Sequence, residues 1–190
     1  FHEADALIFI GACGIAVRAI APLIVSKTSD PAVIVLDEQG KHVISLLSGH
    51  IGGANDLARR IAGYTGGEAV ITTATDVNGR FSVDAWAVKH SCVIDSMEHA
   101  KEYAASILKR DVPLFSDFEI CGELPGGVFV GSEGTCGAVI SAQTDAIPFD
   151  TTLRLIPRIL HVGVGCKRGT PKEKIEAAID HALNEHRLDR

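Results

Sequence analysis

The sequence predicts an α/β protein, and three observations carry that prediction. Apolar runs of strand length alternate along the chain with helical stripes of apolar residues, an order typical of a sheet covered by helices. Glycine-rich turns join a strand to the following helix at several points. With 46% hydrophobic residues among 190, the chain can also bury a sizeable core.

Charge and hydropathy exclude several functional classes. The formal net charge of -6 and the pI of about 5.7 argue against a nucleic-acid partner, which requires a basic surface. The sequence has no run of about 18 apolar residues and no basic start to its first segment, so we expect neither a membrane span nor a signal peptide. A cytoplasmic location is therefore expected. The five cysteines form no CxxC pair and no zinc-ligand spacing, and we expect free thiols.

The sequence predicts an N-terminal α/β sandwich domain with a mostly parallel sheet over residues 1–88. Its predicted elements are strand 6–10, the turn Gly11-Ala-Cys-Gly14 with a helix after it, strands 33–36 and 42–47, helix 53–64, strand 69–71 and a helix capped by Ser82. The two central strands suggest a hairpin. The first βα turn, the glycine-rich turn after the third strand and the polar loop 72–79 are expected to share one edge of the sheet, where α/β folds bind ligands.

The sequence predicts a small α+β central domain over residues 89–158. It predicts the start of an α/β C-terminal domain over residues 159–190. The expected central elements are strand 92–94, helix 97–109 and brief strands at 113–115, 128–130 and 138–141. The last segment is expected to begin with a strand at Ile159, continue through a Gly-rich turn and enter a helix at Pro171.

The stretch Leu46–Asn55, LLSGHIGGAN, is the strongest candidate for a functional site. Its glycines let backbone N–H groups approach a bound anion, and the helix that follows adds partial positive charge. His50 lies in this turn, where an imidazole can exchange a proton near neutrality. The alternative is a tight turn that needs glycine only for its backbone conformation. The sequence lacks the G-x-S-x-G nucleophile elbow, so a serine hydrolase is not supported.

Other candidate residues lie in the two remaining turns and in the polar loop. Asp76 could act as a base or only shape its loop, and Asp37 is most simply a solvated turn residue. Arg18 could donate hydrogen bonds to a carboxylate or face water. The residues assigned to ligand binding are Gly11, Gly14, Arg18, Ser48, Gly49, Gly52, Gly53, Asn55, Thr73, Thr75 and Asn78.

Four stretches resemble the CbiG family of cobalamin biosynthesis proteins: GACGIAVRAIAPLI, SDPAVIVLDEQGKHVISLLSGHIGGAN, ITTATDVNGRFSVDAWA and VGVGCKRGT. The resemblance covers nearly all of the chain. Residues 1–88 look like the family's N-terminal domain, residues 89–157 like its central domain, and residues 159–190 like the opening of its C-terminal domain, which is also similar to CobE-type proteins. We expect the family's first strand region and most of its C-terminal domain to lie outside this sequence.

The resemblance implies a cobalt-precorrin-5A hydrolase, which opens a δ-lactone on a cobalt tetrapyrrole and releases acetaldehyde to give cobalt-precorrin-5B. Such a substrate carries many carboxylates, so an acidic protein must recognise it through local groups. For this chemistry we predict His50 as the base that takes a proton from water, the N–H groups of Gly52 and Gly53 as oxyanion donors, and Asp76 or Asp37 as assisting groups. No cofactor or protein metal ligand is expected, since cobalt arrives in the substrate.

Two alternative functions stay open. A non-catalytic tetrapyrrole carrier would use the same glycine turns without releasing acetaldehyde, and a nucleotide-binding α/β protein is less well supported because the sequence has no P-loop. The expected partners are the cobalt tetrapyrrole, transiently other enzymes of the same pathway, and a second copy in a homodimer. We expect neither nucleic acid nor membrane as a partner.

Overall fold

The computed structural model describes Phe1 and residues 3–190 and divides the chain into two units, Phe1–Ala85 and Trp86–Arg190. In each unit a sheet with mostly parallel strand pairs carries helices, so the predicted α/β class is confirmed. The domain limits expected at 88 and 158 stay predictions. Residues 159–190 belong to the second unit.

Four strands and the helices between them build the first unit. Its elements are β1 (Ala6–Ile10), α1 (Cys13–Ile20), β2 (Ala32–Leu36), β3 (His42–Leu47), α2 (Ala54–Thr65), β4 (Glu68–Val70), α3 (Ala74–Val77) and the start of α4 (Val83–Lys89). The strand order is β1-β2-β3-β4. β1 pairs with β2 and β3 pairs with β4 in parallel, whereas β2 and β3 are antiparallel, as expected for a hairpin.

The core of the first unit forms where α2 packs on the central strands. All five residues of β2 are buried, and the β-branched run Val33-Ile-Val35 suits a strand that is covered on both faces. Small residues at helical spacing, Ala54, Ala58 and Ala62, let α2 approach the sheet closely. This packing fixes the N-terminus of α2 beside the end of β3.

The antiparallel pairing of β2 and β3 puts the first βα turn at the opposite edge of the sheet from the turn after β3 and the loop 72–79. The predicted shared edge is therefore wrong for the first turn and confirmed for the other two segments. β1 and β2 run in the same direction, and the Gly11 N–H donates to the Leu36 carbonyl at 2.9 Å, so the first βα turn lies beside Asp37. β3 and β4 run the other way, and the six residues of β3 separate the two edges by about 20 Å. We call these the Asp37 edge (residues 11–14 and 37–40) and the His50 edge (residues 48–53 and 72–79).

The polar loop predicted at 72–79 contains the short helix α3. Its turn is closed by the Val77 N–H, which donates to the Thr73 carbonyl at 3.0 Å, and the Thr73 hydroxyl donates to the Asp76 carboxylate at 2.7 Å. The predicted cap on α4 is wrong, because the Ser82 hydroxyl is buried without a hydrogen-bond partner among the described residues. Local side-chain bonding therefore shapes α3 more strongly than its loop-like composition suggests.

The second unit is a five-stranded sheet with the order β5-β9-β8-β6-β7. Its elements are β5 (Cys92–Ile94), α5 (Met97–Ile107), β6 (Val112–Ser116), β7 (Val128–Val130), β8 (Cys136–Ile140), β9 (Thr151–Pro157) and α6 (Lys172–Glu185). β5 and β9 are antiparallel, and the other three strand pairs are parallel. This sheet is more parallel than the α+β class expected for the central domain implies.

The second unit contains one strand that the sequence analysis does not predict and lacks one that it predicts. β9 is the strand without a prediction, and Arg154 interrupts its apolar run. The guanidinium is compensated by the Gln143 carbonyl at 2.6 Å and by Asp189, which lies 35 residues further along the chain. The strand predicted from Ile159 does not form, since none of the described strands pairs with residues 159–166.

Candidate functional site

The turn at 48–53 is held by hydrogen bonds from its own backbone, from the first residues of α2 and from the Ser48 side chain. Ser48 adopts a left-handed φ of 57°, and its hydroxyl donates to the Asp30 carbonyl at 2.9 Å. The Gly53 N–H donates to the His50 carbonyl at 3.0 Å, and the Asn55 N–H donates to the Gly49 carbonyl at 2.9 Å. The N–H of Gly53 is therefore already engaged, contrary to its predicted role as an oxyanion donor.

Two glycines of this turn are required by close packing. A Cβ at Gly52 would lie 2.5 Å from the Ser48 Cβ and 2.9 Å from the Ser48 carbonyl oxygen. A Cβ at Gly49 would lie 2.7 Å from the Asn55 Oδ1 atom. The glycines thus bring the chain against Ser48 and Asn55, which sets the position of His50 between them.

The Asp76 carboxylate, at the start of α3 in the adjacent segment, collects four hydrogen bonds. Its Oδ2 atom accepts from His50 Nε2 at 2.8 Å, from Thr73 Oγ1 at 2.7 Å and from Asn55 Nδ2 at 3.0 Å. Its Oδ1 atom accepts from Arg59 Nη2. The His50 edge therefore brings together residues from the turn after β3, from α2 and from α3.

These donors keep Asp76 ionised. Burial opposes ionisation, but the hydrogen bonds from Thr73, His50 and Arg59 outweigh it and lower the pKa of Asp76 from 3.8 to about 2. A carboxylate with this pKa and four donors takes up no proton near neutrality. Of the two roles considered for Asp76, the geometry supports shaping and orienting its neighbours over acting as a base.

The ionised carboxylate determines which nitrogen of His50 carries the proton. Because Asp76 only accepts, Nε2 must donate, and the Thr75 hydroxyl lies 3.4 Å from the same nitrogen. None of the described residues forms a hydrogen bond with Nδ1, and the His50 side chain is 21% exposed. In the neutral imidazole, Nδ1 therefore offers a lone pair that can accept a proton.

Asn55 is an internal link and not a free ligand-binding group. It is buried, its Oδ1 atom accepts from the Ser45 hydroxyl at 2.7 Å, and its Nδ2 atom donates to Thr73 Oγ1 at 2.9 Å as well as to Asp76. Sequence reasoning missed Ser45 and Arg59. The spacing of Arg59, one helical turn after Asn55 on α2, is the signal that could have found it.

The remaining predicted residues lie outside this cluster. Asn78 is exposed, and its side chain donates to the Ala74 carbonyl at 2.8 Å. Gly11 and Asp37 lie in turns of the Asp37 edge. Gly14 and the exposed Arg18 lie in α1, the helix that starts at this edge.

Asp37 behaves as a turn residue. Its carboxylate accepts from the backbone N–H groups of Gln39, Lys41 and His42, and the bond from His42 contributes most to lowering the pKa of Asp37 to about 2. With Gly11, Asp37 lines an open pocket of about 370 Å³. The structure therefore separates Asp37 from His50, with which it was expected to act.

Within Phe1 and residues 3–190, no three His, Cys, Asp or Glu side chains are grouped so as to hold a metal ion. In the same part of the chain, no helix is both long enough and apolar enough to cross a membrane.

The fold and the site together define an α/β protein with an imidazole–carboxylate pair at a sheet edge, next to a glycine-rich strand-to-helix turn. Residues 1–76 match the family model described as Cobalamin synthesis G N-terminal. The chain belongs to the CbiG family, as the sequence resemblance predicted.

Named relatives extend this similarity over the whole chain. It is 39% identical over 202 residues to a cobalt-precorrin-5A hydrolase from Salmonella typhimurium strain LT2, covering 100% of the chain and 58% of that protein. A cobalt-precorrin-5A hydrolase from Priestia megaterium is 32% identical over 209 residues, covering 97% of the chain and 54% of that protein. The chain thus spans little more than half the length of these relatives.

A solved structure shares the fold. The crystal structure of a cobalamin biosynthesis protein G homologue from Sulfolobus solfataricus matches with a TM-score of 0.53 and 26% sequence identity. The match covers 97% of this chain and 56% of the other.

Proposed function

We propose that the complete protein is a cobalt-precorrin-5A hydrolase and that His50 is its general base. The observation that carries this proposal is the pairing of His50 Nε2 with the ionised Asp76 at 2.8 Å, which leaves Nδ1 as the nitrogen that accepts a proton. The names of the relatives support the substrate and the reaction. No contact among the described residues favours the carrier alternative.

The first chemical step is lactone opening. A water oxygen attacks the lactone carbonyl carbon, its proton passes to His50 Nδ1, and the carbonyl electron pair forms an oxyanion. The oxyanion then collapses, the ring C–O bond breaks, and the leaving oxygen takes the proton from Nδ1 to become a hydroxyl group. Asp76 stabilises the imidazolium that forms in between, because it is a fixed negative charge at Nε2.

The second step is carbon–carbon cleavage. His50 removes the proton of the new hydroxyl group, the oxygen forms a C=O bond, and acetaldehyde leaves. The electron pair of the broken C–C bond passes to the conjugated macrocycle, and the proton on Nδ1 then passes to solvent, which restores the neutral imidazole. The proposal includes no resident cofactor, since the cobalt enters as part of the substrate.

The test compares two histidines of the first unit, His50 and His42, each of which faces an aspartate. We expect His50→Ala in the complete protein to lower the rate of acetaldehyde release roughly 10²- to 10⁴-fold, the usual contribution of a general base. His42→Ala is the matched control, because His42 Nδ1 lies 3.2 Å from Asp37 at the opposite edge, and it is expected to keep nearly full turnover. Near wild-type turnover in folded His50→Ala protein would refute the role of His50.

A further inference from the structure

Arg59 holds two carboxylates that differ in exposure. Its Nη2 group donates to Asp76, whose side chain is 15% exposed, and its Nη1 group donates at 2.9 Å to Asp56, whose side chain is 75% exposed. The Arg59 side chain is itself 47% exposed. One half of the guanidinium therefore belongs to the inner cluster, and the other half faces the surface.

The two partners are not equally hard to replace. Asp76 is fixed by three further donors, whereas Asp56 is a surface residue three positions before Arg59 on α2. Exposed pairs of this kind contribute little to stability, since solvent screens them and both side chains lose freedom. A second carboxylate can therefore take the place of Asp56 on Nη1 at small cost.

The chemistry of the group selects the ligand. A guanidinium is planar and permanently charged, and its parallel N–H groups match the two oxygens of a carboxylate. The acidic protein repels an anionic ligand overall, so a cation that is already held in place beside the His50–Asp76 pair is a favourable point of attachment.

We propose that Arg59 binds a side-chain carboxylate of the tetrapyrrole and that Asp56 occupies this subsite until the ligand displaces it. The proposal rests on the proposed function for the identity of the macrocycle. Because the same guanidinium also donates to Asp76, a carboxylate bound at Nη1 lies next to the His50–Asp76 pair. Arg59 thus anchors the substrate next to the catalytic base.

The first test measures binding without turnover. The probes are cobyrinic acid, a cobalt corrinoid with free side-chain carboxylates, and its methyl ester, which lacks those charges. We expect the wild-type protein to prefer the acid and Arg59→Gln to lose roughly ten- to a hundredfold in affinity for the acid alone, as for a hydrogen bond to a charged group. Arg60→Gln is the matched control, because Arg60 is the exposed neighbour on the same helix.

The second test removes the competitor. Asp56→Asn keeps the size of the side chain and removes its negative charge, so Asp56 no longer competes with the ligand for Arg59 Nη1. We expect roughly two- to fivefold tighter binding of the acid and unchanged binding of the ester. This variant leaves the inner cluster untouched, so it remains informative if Arg59→Gln unfolds.

The outcomes separate this proposal from the proposed function. Equal affinity of the wild-type protein for acid and ester, a preference for the acid that survives in Arg59→Gln, or unchanged acid binding by Asp56→Asn each overturns the Arg59 subsite and leaves the proposed function standing. Binding of neither probe by the wild-type protein counts against the tetrapyrrole ligand and overturns both proposals. Full acetaldehyde release by His50→Ala overturns the role of His50 and leaves the binding result standing.

Discussion

Each edge of the first sheet holds a histidine–aspartate pair, and the two pairs are built for different tasks. At the Asp37 edge, the carboxylate takes three hydrogen bonds from backbone N–H groups and closes the hairpin turn. At the His50 edge, Asp76 takes all four of its hydrogen bonds from side chains. The pKa of each aspartate is lowered to about 2. The identity of the donors therefore separates a turn residue from a site residue where the pKa does not.

The two imidazoles differ in the same way. The His42 side chain is 60% exposed and pairs with an exposed carboxylate, whereas the His50 side chain is 21% exposed and pairs with a largely buried one. An exposed pair is screened by water and keeps its ring mobile. Only the pair at the His50 edge holds its imidazole in one orientation, as a general base requires.

The largest expected effect comes from exchanging the two aspartates for asparagine. Asp76→Asn replaces a charged acceptor by an amide, which no longer selects the Nε2–H form of His50, so we expect acetaldehyde release to fall roughly 10²- to 10⁴-fold. Asp37→Asn is expected to keep nearly full turnover. Rates measured on both folded variants check the comparison, and equal losses would mean that the two edges act together.

The next effect contrasts two adjacent glycines at the His50 edge. Gly52→Ala forces a Cβ to 2.5 Å from the Ser48 Cβ, and we expect overpacking to lower the free energy of unfolding by about 2–3 kcal/mol. Gly53→Ala has open space but a φ of 78°, and about 1 kcal/mol of backbone strain is expected. Urea titration measures both. A larger loss in Gly53→Ala would show that backbone conformation dominates this turn.

The sequence identifies the pieces of this site better than their arrangement. His50 and Asp76 stand out because each lies in a polar segment next to an apolar strand. Their separation from Asp37 follows from the antiparallel direction of β3. The hairpin predicted from the sequence already implied this direction, so the expectation of one shared edge was inconsistent with that hairpin. Arg59 was missed because its buried partner Asp76 lies 17 positions further along the chain.

β9 escaped prediction through the same kind of long-range compensation. Its central Arg154 looks unsuitable for an inner strand until Asp189 and the Gln143 carbonyl accept its hydrogen bonds. Local apolar patterns therefore predicted most elements, whereas every feature that depends on a distant polar partner required the structure.

A third prediction uses acid to measure the contribution of Asp76 to stability and added salt to distinguish it from Asp37. Because the folded-state pKa of Asp76 lies below its ordinary 3.8, its ionised form stabilises the fold above pH 3.8, and this contribution is lost as the pH falls toward about 2. We expect the free energy of unfolding of Asp76→Asn to fall less steeply than that of wild type across this window. Added salt should reduce the contribution of the exposed Asp37 more than that of Asp76. Identical slopes for wild type and Asp76→Asn would contradict the network.

The smallest expected effect separates a hydroxyl that ties the turn from one that supports the site. Ser48→Ala loses the bond to the Asp30 carbonyl, so we expect about 1 kcal/mol less stability with KM and kcat unchanged. Ser45→Ala loses the bond to Asn55 Oδ1, costs about as much stability, and should also lower kcat several-fold, because Asn55 then holds Asp76 less firmly. Urea titration and steady-state kinetics on the pair decide the matter. A raised KM in Ser48→Ala alone would restore Ser48 to the substrate-binding role predicted from the sequence, since only a hydroxyl that contacts the ligand affects binding without affecting the Asp76 network.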